Sequence, residues 1–168
     1  IIRVRHYHEY DNYFSFDDPS QGRLRYREDE FIDENGKTTN VRSRLTLIGS
    51  ETEGGDEAIL LSRSRYLAPA SHSLRFYTEY FKPDEVLEIE KDRLRYLIRY
   101  KEEEFFVNFD ELLHPELGKF VEIKSRTWSK QDAEKKTALM HELMSTLGLA
   151  DKPSIHEDYI SLVEKGNG

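Results

Sequence analysis

The chain has 168 residues, the size of one ordinary domain, and its ten Tyr and nine Phe argue against disorder. A formal net charge of −8 disfavours a general nucleic-acid or anionic-membrane binder, while leaving room for one local basic site. The absence of cysteine excludes disulfides and thiol chemistry.

The N-terminal "IIRVRHYHEY" is too polar for a secretion signal, and no apolar run approaches a membrane span. The cytoplasm is the default, with no membrane partner expected. "HYHEYDNYFSF" (6–16) reads as an aromatic-rich strand with a polar face, closed by the turn signal "DDPSQG" (17–22). "RLRYRED" (23–29) alternates basic and other residues, and Asn35-Gly36 in "DENGK" is a hairpin signal. "NVRSRLTLIG" (40–49) and "AILLSRSRYL" (58–67) are further strands around the acidic loop "SETEGGDE" (50–57). Ser71 is expected to cap a short helix, "HSLRFYTEYF", which Pro83 ends.

"DEVLEIEKDRLRYLIRY" (84–100) is ambiguous. Val86, Ile89, Leu94, Leu97 and Ile98 roughly fit helical spacing. A period of two instead aligns Leu87, Ile89, Lys91, Arg93 and Arg95. The acidic run Glu102 to Glu104 reads as a solvated loop. "EEFFVNFD" and "GKFVEIKSR" follow as strands joined by a turn at Pro115 and Gly118. The clearest helix is "SKQDAEKKTALMHELMSTLG", with Ser129 and Asp132 at its start and Gly148 as its stop. "HEDYISLV" is a short terminal element with Tyr159 and Leu162 as packing residues. Residues 1–168 form a single domain of class α+β.

The chemistry lies in the alternating strands. Arg23, Arg25 and Arg27 share a face, as do Arg42 and Arg44, and Arg63 and Arg65. With Lys91, Arg93, Arg95, Lys124 and Arg126 they make twelve of the 25 basic residues. A half-buried sheet also shows polar alternation, so each strand alone has a plain reading as a solvated face. The sign of the charge argues otherwise, because an acidic chain puts Arg and Lys on these faces. Curved together, they line a cavity suited to a multiply charged phosphate chain. Glu122, among these cations, is either an ion-pair partner or a ligand for the Mg²⁺ that accompanies polyphosphates. His6 and His8 lack a third ligand at zinc-like spacing and read as surface or packing residues. Glu88 and Glu90 read as an Mg²⁺ pair or a solvent-facing edge.

"EYDNYF", "RLRYRED", "RSRLTLIG", "EKDRLRY", "VNFDEL…ELGKFVEIK", the helix ending "LGL" and the late "DYISL" resemble the CYTH domain, in order and over nearly the whole chain. CYTH proteins belong to the triphosphate tunnel metalloenzymes, which include thiamine triphosphatases, inorganic triphosphatases and class IV adenylyl cyclases. The resemblance implies an antiparallel closed β-tunnel of about eight strands with helices packed outside, and favours strand over helix for 86–100. By the same resemblance, Arg25, Arg27, Arg44, Arg63, Arg65, Lys91 and Arg93 would bind substrate phosphates. Asp110 and Glu122 would hold Mg²⁺ or Mn²⁺, and Lys124 would stand beside them in catalysis.

The departures are specific. The family's opening Glu-x-Glu-x-Lys strand is not visible, so the domain would lack the first strand, and Lys124 replaces the second Glu of the later pair. Ile48 replaces a lysine. The implied activity is metal-dependent hydrolysis of a phosphoanhydride in a triphosphate, pyrophosphate or polyphosphate. The alternatives are a non-catalytic phosphate- or nucleotide-binding module of a larger protein, with a fused or neighbouring domain, and a class IV cyclase-like enzyme.

Overall fold

The computed structural model describes residues 1–53, 61–155 and 157–166, with side chains described among these except at 19, 49–53 and 61–66. Alternation of side chains every two residues builds most of it. Seven strands form: β1 (Arg3–Ser15), β2 (Arg23–Ile32), β3 (Thr38–Glu53), β4 (Leu61–Pro69), β5 (Glu85–Tyr100), β6 (Glu103–His114) and β7 (Gly118–Lys124). They make one sheet in the order β4-β3-β2-β1-β5-β6-β7, with every ladder antiparallel. The helices are α1 (Leu74–Phe81), α2 (Lys130–Thr146) and α3 (Tyr159–Gly166). Among the described residues no helix is long and apolar enough to cross a membrane.

The ambiguous 84–100 segment is the strand β5. Ladders on both sides, to β1 and β6, decide what periodicity left open. The Asn35-Gly36 turn joins β2 to β3, with Gly36 at φ 76° and the Asp33 carboxylate accepting from the Asn35 and Lys37 N–H groups at 2.9 Å. The acidic run is shorter as a loop than expected. Lys101 and Glu102 alone turn the chain, both at positive φ (46° and 66°), while Glu103 and Glu104 already pair in β6.

Ser73, not Ser71, caps α1, its side chain accepting from the Phe76 N–H at 3.4 Å. Ser71 instead donates its N–H to the Tyr77 hydroxyl at 3.1 Å. Ser129 caps α2 by accepting from the Asp132 N–H at 3.1 Å, and Asp132 accepts from the Trp128 N–H at 2.9 Å. Ser129→Ala is expected to lower stability by about 0.5–2 kcal/mol in urea unfolding, because a helix-start donor loses its partner.

The two faces of the sheet pack differently. Phe14, Tyr26 and Tyr77 form one cluster with Leu24, Leu45 and Leu74, which seats α1. Phe105, Val107 and Leu143 form another with Ile123, Leu139 and Met140, which seats α2. Both lie on the face carrying the even positions of β1. On the opposite face, Ile160 and Val163 of α3 join Tyr13, Ile89 and Leu112. Ile48 of β3 and Phe120 of β7 touch this same cluster although four strands separate theirs in the sheet. The sheet therefore curls around this inner face, and α3 fills one end.

This differs from the expected tunnel in two respects. Among the described residues no ladder joins the edges β4 and β7, so the seven-stranded sheet is not closed. One helix also sits inside, where Ile160 and Val163 pack against Tyr13, Ile89 and Leu112 of the inner face.

Candidate functional site

Register places the charged side chains of the inner face. On β1, Asp11 lies opposite Arg27 of β2, and Glu9 lies opposite Lys91 of β5. Arg93 faces Asp110, Arg95 faces Asn108, and Asn108 faces Glu122. On β3, Arg42, Arg44 and Thr46 stand opposite Asp29, Arg27 and Arg25. Strand parity carries each of these side chains to the same side.

Asp11 is the hub. It is 1% exposed, accepts from Arg27 Nε and Nη2 at 2.5 Å each, and accepts from Lys91 Nζ at 2.6 Å. Glu9 stands 3.1 Å from Arg27, 3.1 Å from Lys91 and 3.5 Å from Arg93, yet neither of its oxygens makes an aligned hydrogen bond. Asp29 accepts from Arg42 at 2.8 Å and Arg44 at 2.6 Å through one oxygen. Asp110 takes both prongs of Arg93, at 2.6 and 2.5 Å, and the Tyr159 hydroxyl of α3 at 2.6 Å. Glu122 accepts from Arg93 at 3.1 Å and Asn108 at 2.9 Å, and pairs with Lys124 at 2.7 Å.

Burial would raise the carboxyls of Glu9 and Asp11, but Arg27 and Lys91 overcome it and hold both well below the usual range. Glu122 is lowered to about 2, as Lys124 and Arg93 outweigh its own desolvation. The cations split. Arg27 and Arg93 are raised against burial by the carboxylates they grip. Burial lowers Lys91, with Arg27 adding repulsion, and lowers Arg44 and Arg95 as well. Lys124 is lowered too, although its partner Glu122 pulls the other way, because burial and repulsion from Arg93 and Arg27 exceed that pull. Lys124 keeps 55% of its side chain accessible, so it stands at the rim rather than within.

These opposed shifts have one origin. On this face Arg25, Arg27, Arg42, Arg44, Lys91, Arg93, Arg95 and Lys124 outnumber the carboxylates Glu9, Asp11, Asp29, Asp110 and Glu122. Arg95 makes up its shortage over the rings of Tyr7 and Phe106, at 5.2 and 5.7 Å. Arg25 likewise lies over the Tyr13 ring at 6.0 Å, yet its Nε and that of Arg44 are buried without a hydrogen-bond partner. Arg25 Nη2 donates to Thr46 Oγ1 at 3.4 Å, and its Nε lies 3.9 Å from Asp11.

Of the expected site residues, Arg25, Arg27, Arg44, Lys91, Arg93, Asp110, Glu122 and Lys124 share this face. The side chains of Arg63 and Arg65 lie outside the described residues. Arg126 falls beyond β7, which stops at Lys124, and its carbonyl accepts from Lys136 at 2.6 Å.

Asp110 and Glu122 do not fit the divalent metal that the family resemblance implies. Arg93 lies between them and donates to both, so each carboxylate already holds a cation, and among the described residues no three His, Asp or Glu side chains converge on one position. Sequence reasoning missed Glu9, Asp11, Asp29, Asn108 and Tyr159 as members of the site. Strand parity was available for the three acids on β1 and β2, but which cation each would meet depends on register.

The fold and site together define a curled antiparallel sheet with a buried, cation-rich inner face. No family model matches the chain, and no curated protein matches it either.

Proposed function

We propose that the chain binds an inorganic phosphate chain, a triphosphate or polyphosphate, on its inner face. The observation that carries this reading is the pair of buried, unpartnered Nε donors on Arg25 and Arg44 within a face where cations exceed carboxylates. An anion there would accept from both, relieve repulsion among Arg27, Arg42 and Arg44, and make charge-assisted bonds in a site of low dielectric. The chain's likeness to CYTH motifs supports the same ligand class. Approach of β4 to β7 around the ligand would complete a tunnel. Binding suits this geometry better than metal-assisted hydrolysis, because Arg93 occupies the two carboxylates that hydrolysis would need for Mg²⁺ or Mn²⁺.

Titration calorimetry with tripolyphosphate tests this. The expected result is binding at a single site, weakening as salt rises and indifferent to chelator. At a hundred times its Kd the ligand should stabilise the protein by about 2.7 kcal/mol. That corresponds to a rise in Tm of roughly 5–11 °C for a chain of this size. Absence of binding at low salt would overturn the proposal. Phosphate release that requires Mg²⁺ or Mn²⁺ would replace it with the hydrolase.

A further inference from the structure

The opposite face of the same strands carries the opposite charge. Between Leu74 of α1 and His114 at the end of β6 lies a cleft of about 390 Å³, at the lower end of small-molecule sites. Glu28 and Glu30 of β2 line one side, and Glu88 and Glu90 of β5 line the other. Tyr10 and Asn12 of β1 run along the floor between them, Tyr10 opposite both Glu28 and Glu90, and Asn12 opposite Glu88. Two strand spacings separate the carboxylate rows, roughly 10 Å, and successive carboxylates along a strand stand roughly 7 Å apart.

Three observations say what this cleft takes. Among the described residues no Lys or Arg pairs with any of the four glutamates; Glu90 meets only His8, at 2.8 Å, and Glu28 only the Tyr26 hydroxyl, at 2.6 Å. Asn12 is 8% exposed and its buried Oδ1 has no hydrogen-bond partner, so an acceptor on the floor awaits a donor. The carboxylates are also too dispersed for one ion, since among the described residues no three of them converge on a metal position. Burial and the fields of Glu30, Glu90 and Glu28 raise the Tyr10 phenol above its usual range.

We propose that this cleft binds an aliphatic polyamine, whose ammonium groups reach the two glutamate rows and the Asn12 carbonyl while its methylenes lie over the Tyr10 ring. An extended chain with several charged ends matches carboxylates spread over a cleft, where a compact Mg²⁺ does not. A phenol ring between the rows offers its face to a cation as well.

Calorimetry and amide NMR of the full chain with spermidine at low salt test the proposal. Spermidine is expected to bind more tightly than Mg²⁺, and to shift the Asn12 side-chain amide. Glu88→Gln, at an exposed position, is expected to weaken spermidine about tenfold through loss of one charge-assisted contact. Glu134→Gln on α2 is the control and should leave affinity unchanged. Failure of spermidine to bind, displacement by Mg²⁺ at equal concentration, or indifference to Glu88→Gln would each overturn it. Tighter binding of a lysine-rich peptide than of spermidine would also overturn it, in favour of a protein partner.

Discussion

Asp11→Asn is expected to cost about 3–5 kcal/mol, because it removes the more tightly bonded of the two carboxylates that Arg27 and Lys91 share and leaves Glu9 alone against both buried cations. For a protein of this size that is a fall in Tm of roughly 6–20 °C. The geometry makes Asp11 the worst place to lose a charge. Its carboxylate is fully enclosed and accepts three short hydrogen bonds from two cations that are themselves buried. Glu9 cannot take over, since it already stands among Arg27, Lys91 and Arg93. Asp29→Asn should cost less, because its partner Arg42 is 43% exposed and can turn to water. Urea unfolding of the two variants against the wild type measures the order. Equal losses would mean that Asp11 is not the hub.

The same network sets the acid limb of stability. Glu9, Asp11 and Glu122 are all lowered in the folded state. Their stabilisation is therefore complete above the unfolded carboxyl range, near pH 4, and is lost as pH falls through the folded values. For Glu122 that folded value is about 2. Stability should begin to drop below roughly pH 5 and keep dropping towards pH 2. Lys91 and Lys124 have the other sign: lowered in the fold, they oppose folding fully below their folded values, and the opposition fades as pH rises from there to the unfolded lysine range. A urea midpoint that stays flat from pH 5 to pH 2 would contradict the ion network.

The sheet was legible where one face of a strand differs from the other. β2 and β3 announce themselves through Arg25, Arg27, Arg42 and Arg44, and the Asn35-Gly36 turn joins them as expected. β5 was not decidable alone, because its apolar residues satisfy two periods at once. Its ladders to β1 and β6 supply the deciding hydrogen bonds, and those are tertiary. The cations of the site were legible for the same reason as the strands. Their neutralisation was not. Asp11 meets Lys91, and Asp110 meets Arg93, across 80 and 17 residues of sequence, and only register brings them together. The metal expectation rested on the acids being free. The place of α3 was hidden as well, since Ile160 and Val163 show an apolar stripe but not which side of the sheet receives it.

Arg25→Gln separates ligand binding from folding. Arg25 shares a face with Arg27, yet the two are held differently. Arg27 grips Asp11 through two bonds, whereas Arg25 stands 3.9 Å from it and leaves its Nε without a partner. Removing Arg25 therefore deprives no carboxylate of its principal cation, and it withdraws one positive charge from a crowded group. Stability is expected to change by less than about 0.5–1 kcal/mol, near the range of a surface substitution. Tripolyphosphate should lose one charge-assisted hydrogen bond, about 1.5–3 kcal/mol, or roughly 10–150-fold in affinity. The salt dependence of binding should also flatten, because fewer cations then contribute to the attraction. Arg27→Gln is the contrast: it strips Asp11 of both guanidinium bonds and should destabilise the protein strongly before any ligand is added. Calorimetry and urea unfolding on both variants read the two effects separately. If Arg25→Gln destabilises as much as Arg27→Gln and leaves tripolyphosphate affinity intact, Arg25 belongs to the folding network, and the inner face is a structural ion cluster rather than a phosphate site.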